Sequence, residues 1–103
     1  MERLVHILPD LAKELENVLF EMGEYKLART VDQLEVVERC RCGDSECATI
    51  YTKEETAWKG KPIKHLVPGC DGLYEVDVYD GSIVCIEILE RDDVAQILNE
   101  VLP

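Results

Sequence analysis

The sequence predicts an α+β domain with a four-stranded, largely antiparallel sheet made of two hairpins and with amphipathic helices towards the N-terminus and C-terminus. Apolar residues recur at helical spacing near both ends of the chain. β-Branched and aromatic residues concentrate between them, separated by glycine-containing turn sequences. The length of 103 residues suits one modest core, so residues 1–103 are expected to form a single domain.

The first long helix is predicted to begin at Pro9 and to end just before Gly23. Proline fits the first turn of a helix because its missing N–H has no partner there, and glycine is favoured directly after the last turn. A second, shorter helical segment is expected to follow. The apolar residues at helical spacing across these two segments are Leu11, Leu15, Val18, Leu19, Met22, Leu27, Val31 and Leu34.

The last helix is predicted to begin after Leu89, with Asp93 as its N-cap and Gln96 three residues later. This spacing is that of a capping box, in which two side chains bind the free backbone N–H groups at the helix start. The apolar stripe that this helix is expected to bury consists of Val94, Ile97, Leu98, Val101 and Leu102.

Three of the five cysteines, Cys40, Cys42 and Cys47, lie within eight residues beside the turn-forming Gly43. Residues 35–42 are typical of a strand, residues 43–46 of a turn, and residues 47–52 of a second strand. The cysteines are therefore predicted to lie at the tip of a β-hairpin. Because side chains alternate along a strand, Cys40 and Cys42 are expected on one face.

A second hairpin is predicted with a three-residue loop at residues 79–81. This loop pairs Val76 with Val84. It also pairs Tyr74 with Ile86 on the same face, whereas a two-residue loop would place acidic residues opposite apolar ones. The side chains expected on the other face are Glu75, Asp77, Ile83, Cys85 and Glu87.

Between the two hairpins, residues 53–72 contain several prolines and glycines and are predicted to be irregular. Connections of this length are uncommon in compact domains unless they have a function or are held by the core. The side chains expected to hold the segment are Trp58, Ile63, Leu66 and Val67.

Two short stretches carry a resemblance. The run from Tyr79 to Leu89 resembles the closing hairpin of small uncharacterised bacterial domains with a DG-x-IVGIEIL pattern, although Cys85 stands where that pattern has glycine. The run from Cys40 to Cys47, followed by Tyr51, is similar to small uncharacterised bacterial proteins with a C-x-C-G-x3-C hairpin. The resemblance implies hairpins and brings no firm activity with it.

The cysteine cluster has two interpretations. Zinc usually takes four ligands in two close pairs, whereas here the first pair is unusually tight and no second pair follows. His65 or Cys70 from the long segment would have to complete the ligand shell, and the chain would have to bend near Gly43. The alternative, which the spacing favours, is a set of free thiols packed at the hairpin tip.

The charge balance excludes several classes of partner. The chain has 22 acidic and 11 basic residues, a net charge of −11, which argues against binding to nucleic acid or to an anionic membrane surface. No apolar run approaches the roughly 20 residues of a membrane helix, and the N-terminus lacks a signal-peptide core. A cytoplasmic location is therefore expected. We find no catalytic constellation in the sequence and predict that the protein is not an enzyme and needs no cofactor.

The acidic excess instead predicts a protein-binding domain. Residues 71–103 contain nine carboxylates against one cation, Arg91, so a basic partner is expected. The specific hypothesis is an immunity or inhibitor protein that neutralises a basic toxin or nuclease. The candidate partner-binding residues are Glu75, Asp77, Glu87, Glu90, Asp92 and Asp93. The alternative is a cysteine-based zinc-binding protein that uses Cys40, Cys42 and Cys47, and the oligomeric state stays open.

Overall fold

The computed structural model describes residues 2–103 and contains, in that part of the chain, four α-helices and one five-stranded sheet. The helices are α1 (Leu4–Ile7), α2 (Pro9–Glu21), α3 (Tyr25–Thr30) and α4 (Asp92–Val101). The strands are β1 (Glu38–Arg39), β2 (Ile50–Tyr51), β3 (Lys64–Leu66), β4 (Leu73–Tyr79) and β5 (Ser82–Ile88). Their order across the sheet is β1-β2-β5-β4-β3, and every neighbouring pair is antiparallel. The predicted α+β class is confirmed.

The prediction of four strands is wrong, because the segment expected to be irregular supplies β3, an edge strand that pairs with β4. Lys64 and His65 are exposed and only Leu66 is buried, so this strand has almost no apolar alternation to reveal it. Leu66 does hold the segment to the core as expected. Val67 does not, since it is 66% exposed.

One apolar core joins all four helices to one face of the sheet. The largest side chains that are fully buried in it are Leu4, Leu11, Leu15, Leu19, Val31, Ile50, Leu73, Val76, Ile83, Ile86, Ile88 and Leu98. The opposite face of the sheet carries polar and titratable side chains instead. This division leaves the second face available for chemistry, while the core fixes the strands that bear it.

The two ends of the long N-terminal helix agree with the sequence prediction. Pro9 lies in the first turn of α2, and the helix ends at Glu21, with Gly23 at a φ of +80° shortly beyond it. A left-handed backbone of this kind favours glycine because other residues carry a Cβ atom that clashes there. The residues at each end of this helix are therefore enough to predict where it begins and ends.

The predicted cap of α4 is wrong. The helix begins at Asp92, its N-cap position is Arg91, and the cap makes no side-chain hydrogen bond. The Asp93 carboxylate instead binds the Arg91 guanidinium at 2.9 Å. An adjacent cation therefore takes the carboxylate that a capping box would use. Of the predicted stripe, Val94 and Leu98 are buried, while Val101 is 37% exposed.

The β4–β5 hairpin has a different loop from the predicted one. Its turn has two residues, Asp80 and Gly81, both with positive φ (51° and 75°), and Tyr79 pairs with Ser82. Such turns match the twist of the adjoining strands, and aspartate followed by glycine is among the sequences that favour them.

A β-bulge at Val84 explains why the predicted register fails. Val78 pairs with Ile83, but Asp77 pairs with Cys85, so Val84 is an extra residue on β5. Beyond the bulge Val76 pairs with Ile86, not with Val84. The bulge allows a two-residue turn to coexist with separate apolar and acidic faces. It also places Ile83 in the core. The strand pairing has a second irregularity between Leu73 and Glu75, where the Tyr74 side chain is exposed.

None of the helices in residues 2–103 is long and apolar enough to cross a membrane.

Candidate functional site

Three thiols converge where β1 leads into the turn of the first hairpin. The sulfur atoms of Cys40, Cys42 and Cys47 all lie within 4.8 Å of one another. Cys42 is exposed, whereas Cys40 and Cys47 are half-buried, and all are free thiols. We call this group the thiol cluster.

The backbone brings the three thiols together by a sharp reversal. Cys40 is the last residue tied to the sheet on this side, its N–H donating to the carbonyl of Thr49 at 2.9 Å. Gly43 then turns the chain with a φ of +82°. The carbonyl of Asp44 accepts from the N–H of Cys47 at 3.1 Å, which returns the third cysteine towards the first.

The prediction that Cys40 and Cys42 share one face of a strand is wrong, because β1 already ends at Arg39. The bend near Gly43 that joint ligation would require is present instead. This feature changes the balance between the two interpretations of the cysteines. The spacing that seemed too tight for a shared ligand shell in an extended strand is compatible with one in a turn.

The thiols differ in acidity. Burial raises the pKa of the Cys40 thiol above its ordinary value. Burial acts in the same direction on Cys47, but hydrogen bonds with the side chain and backbone of Thr49, and then with Cys42 and Cys40, together outweigh it and lower the pKa. The Cys47 sulfur lies 3.5 Å from Thr49 Oγ1, which also accepts from the N–H of Ile88 at 3.2 Å. Cys47 is thus the thiol that ionises first in this pair.

The separation of the sulfur atoms suits a tetrahedral thiophilic ion. Zinc binds thiolate sulfur at about 2.3 Å, so two sulfur ligands of one tetrahedral ion lie about 3.8 Å apart. The thiol cluster already holds its sulfur atoms within 4.8 Å of one another, so closure on an ion needs a shift of about 1 Å.

Neither residue proposed from the sequence as a fourth ligand belongs to the cluster, among residues 2–103. His65 binds carboxylates at the opposite edge of the sheet, on β3, and Cys70 lines a separate cleft with Glu14 and Arg91. The thiol cluster therefore provides three ligands and leaves one position of a tetrahedral ion to another donor.

A cleft of about 450 Å³ adjoins the thiol cluster. Cys40 and Cys47 line it together with Arg39, Arg41 and Asn99 from α4. Alternation along a strand would direct both arginines away from the cysteines, but Arg41 lies beyond the end of β1, where the chain no longer alternates. Arginine close to a thiol favours the charged thiolate. The cleft brings two arginines to the cluster, of which Arg41 also binds the Glu38 carboxylate at 3.0 Å.

The six carboxylates predicted to bind a partner fall into two groups. Glu90, Asp92 and Asp93 are exposed around the start of α4, where Asp93 already binds Arg91. The other three lie on the polar face of the sheet. Asp77 among them is 7% exposed, so its side chain offers little contact surface to a protein partner.

The carboxylates on the sheet belong to a second cluster that the sequence did not reveal. His65 Nδ1 lies 2.8 Å from Asp77 Oδ1 and 3.0 Å from Glu75 Oε2. Glu87 pairs with Glu75 across the two central strands. We call these four residues the imidazole–carboxylate cluster. Two features that the sequence does not mark assemble this cluster. Strand β3 brings His65 opposite Asp77, and the bulge brings Glu87 opposite Glu75.

The charges in this cluster shift one another. Hydrogen bonds to the carboxylates of Asp77 and Glu75 raise the pKa of His65 above its ordinary value. Burial raises the pKa of Asp77, and burial followed by the neighbouring Glu75 raises the pKa of Glu87 to about 7. Burial also raises the pKa of Cys85, whose thiol lies on β5 opposite Asp77. The hydrogen bond with Asp77 lowers the pKa of Glu75, so Asp77 and Glu87 are harder to ionise than exposed carboxylates and Glu75 is easier.

Comparison with models of known protein families, with curated proteins and with solved structures finds no match to this chain.

Proposed function

We propose that this domain binds one thiophilic metal ion of the zinc class through Cys40, Cys42 and Cys47. The observation that carries the proposal is the approach of three sulfur atoms to within 4.8 Å of one another around the reversal at Gly43. Thiolate sulfur selects soft or borderline ions such as Zn²⁺ and Cu⁺ over Mg²⁺, Ca²⁺ or Mn²⁺. The proposal assigns no catalysis to the site.

The charges around the site support binding of a cation by the thiolate form of the three cysteines. Three thiolates with one divalent ion leave one negative charge, and Arg39 and Arg41 line the same cleft. Thr49 favours ionisation of Cys47, which gives the ion a first anionic ligand. Three protein ligands leave an exchangeable position, in contrast with the four ligands of a closed structural zinc site. An ion held in this way is accessible to a donor from a small molecule or another protein.

The test is a zinc titration of the reduced protein in competition with a chromophoric chelator, together with elemental analysis. We expect one zinc ion per chain. Cys42→Ser should weaken binding by more than about 100-fold, since changes to second-shell partners alone cost 10- to 100-fold. Cys42 is exposed, so this substitution leaves the core intact.

Cys70→Ser is the matched control, because Cys70 is also an exposed free thiol but lies outside the thiol cluster. It should bind zinc as the wild type does. Equal loss of zinc affinity in both variants, or unchanged affinity in Cys42→Ser, would remove the proposed site.

A second candidate function is favoured by the net charge of −11. It is the inhibitor or immunity role, in which a basic toxin or nuclease is neutralised. Glu90 and Asp92 are exposed around the start of α4, and the carboxylates of the sheet face add to the same negative field. The test is binding to the basic product of a neighbouring gene over a range of salt concentrations. Binding that weakens steeply with salt supports this role, and binding that is absent or indifferent to salt contradicts it.

A further inference from the structure

The imidazole–carboxylate cluster is made by three neighbouring strands. His65 on β3 is opposite Asp77 on β4, and Glu75, two residues earlier on β4, is opposite Glu87 on β5. Glu75 and Asp77 share one face because side chains alternate along the strand. Four titratable side chains are therefore fixed by hydrogen bonding between strands, and not by a flexible loop.

The separations inside the cluster match those of ligands on a six-coordinate ion. The nitrogen of His65 is 2.8 Å from an oxygen of Asp77 and 3.0 Å from an oxygen of Glu75. The three ligand atoms all lie within 4.8 Å of one another. Nitrogen and oxygen ligands bound at about 2.1 Å in octahedral geometry lie about 3.0 Å from their neighbours. A cation can thus be accommodated with small side-chain movements.

The charges of the cluster are unbalanced in a way that a divalent cation would correct. Three carboxylates surround one imidazole, and Glu75 is directly opposite Glu87, an arrangement of like charges that destabilises a sheet. Asp77 is 7% exposed, so water screens its charge poorly. The His65 side chain, in contrast, is 57% exposed, which leaves the outer side of the cluster open to solvent ligands.

We propose that His65, Glu75 and Asp77 form a second metal site, for a divalent first-row ion that prefers oxygen and nitrogen ligands, with Mn²⁺ as the representative. Glu87 is the adjacent carboxylate that adds negative charge to the site. Carboxylate ligands suit Mn²⁺ and thiolate ligands do not, so Mn²⁺ reports on this site and not on the thiol cluster. The proposal does not depend on zinc binding at the cysteines.

The experiment is a Mn²⁺ titration of the full-length reduced protein, in which electron paramagnetic resonance reports the free ion. We expect one saturable site. Glu75→Gln and Asp77→Asn should each weaken binding about tenfold or more, given the cost of removing even second-shell groups. Asp92→Asn removes the same charge from an exposed position outside the cluster and should bind Mn²⁺ as the wild type does.

Two further variants keep the test decisive. His65→Ala changes an exposed side chain and should also weaken Mn²⁺ binding, which covers the case in which the buried Asp77→Asn fails to fold. Cys42→Ser should leave Mn²⁺ binding unchanged. Mn²⁺ affinity that is unaffected by His65→Ala and Glu75→Gln, or that falls equally in Asp92→Asn, shows an ordinary ion pair in a diffuse negative field and overturns the proposal.

Discussion

The thiol cluster and the imidazole–carboxylate cluster are assembled in opposite ways. Cys40, Cys42 and Cys47 come from one short segment that a glycine folds back on itself. His65 and Asp77 are brought together by the pairing of separate strands. A turn can close around an ion at little cost to the rest of the fold, whereas a sheet holds its side chains near one geometry. We expect the first cluster to respond strongly to its metal and the second to respond mainly to charge.

The largest expected effect is stabilisation of the fold by zinc. With free zinc at 100 times the dissociation constant, the free energy of unfolding should rise by about 2.7 kcal/mol, as for any ligand that binds the folded state alone. The Cys42→Ser variant should lose this gain and Cys70→Ser should keep it. Chemical denaturation with and without zinc measures the difference. A gain that survives in Cys42→Ser would mean that zinc binds elsewhere.

The next effect concerns the turn that assembles the thiol cluster. Gly43→Ala should cost about 1–2 kcal/mol, because a residue with a Cβ atom is disfavoured at a φ of +82°. It should also weaken zinc binding by displacing Cys42. Gly60→Ala is the matched control, with a φ of +80° and likewise open space around the added carbon. If both variants bind zinc equally well, the reversal at Gly43 does not control the site.

The smallest effect tests the raised pKa of Glu87, which burial causes first and the facing Glu75 second. Folded protein holds a proton on Glu87 up to about pH 7, whereas an unfolded chain releases it near the ordinary value of 4.5. The folded state therefore binds the extra proton between these values, and the stability contributed by this group falls as pH rises through that window. Glu87→Gln cannot ionise, so it should gain stability over the wild type as pH rises from 5 to 8.

The expected gain for Glu87→Gln is about 1 kcal/mol at pH 8, the upper range for cross-strand pairs. Denaturation of metal-free protein at both pH values measures it. Glu90→Gln, which removes the same charge from an exposed position, is the matched control. A constant difference between Glu87→Gln and wild type across this range would contradict the raised pKa of Glu87.

The features predicted correctly from the sequence depend on neighbouring residues. Pro9 and Gly23 mark the ends of α2 by effects confined to one turn of chain. The thiol cluster was also detectable, because its three cysteines lie within eight residues. Even there, the relative positions of Cys40 and Cys42 depended on where the strand ended.

The features that were missed depend on long-range pairing. β3 has two exposed polar residues and one buried leucine, a pattern that does not distinguish a strand from a loop. The bulge at Val84 has no marker in the sequence, yet it decides which residue faces Asp77. The cluster of His65 with Glu75 and Asp77 follows from these two features, so it became visible only in three dimensions. The spacing of Asp93 and Gln96 fits a capping box equally well whether or not Arg91 binds the Asp93 carboxylate, so the ion pair could not be predicted from it.

The central claim is that three thiolates of one turn bind a single ion. X-ray absorption at the zinc edge, on protein with one equivalent of zinc, tests it most directly. The account predicts a shell of three sulfur atoms at about 2.3 Å and one lighter atom. In Cys42→Ser the shell should contain fewer sulfur atoms. A shell of nitrogen and oxygen alone, unchanged in Cys42→Ser, would contradict it.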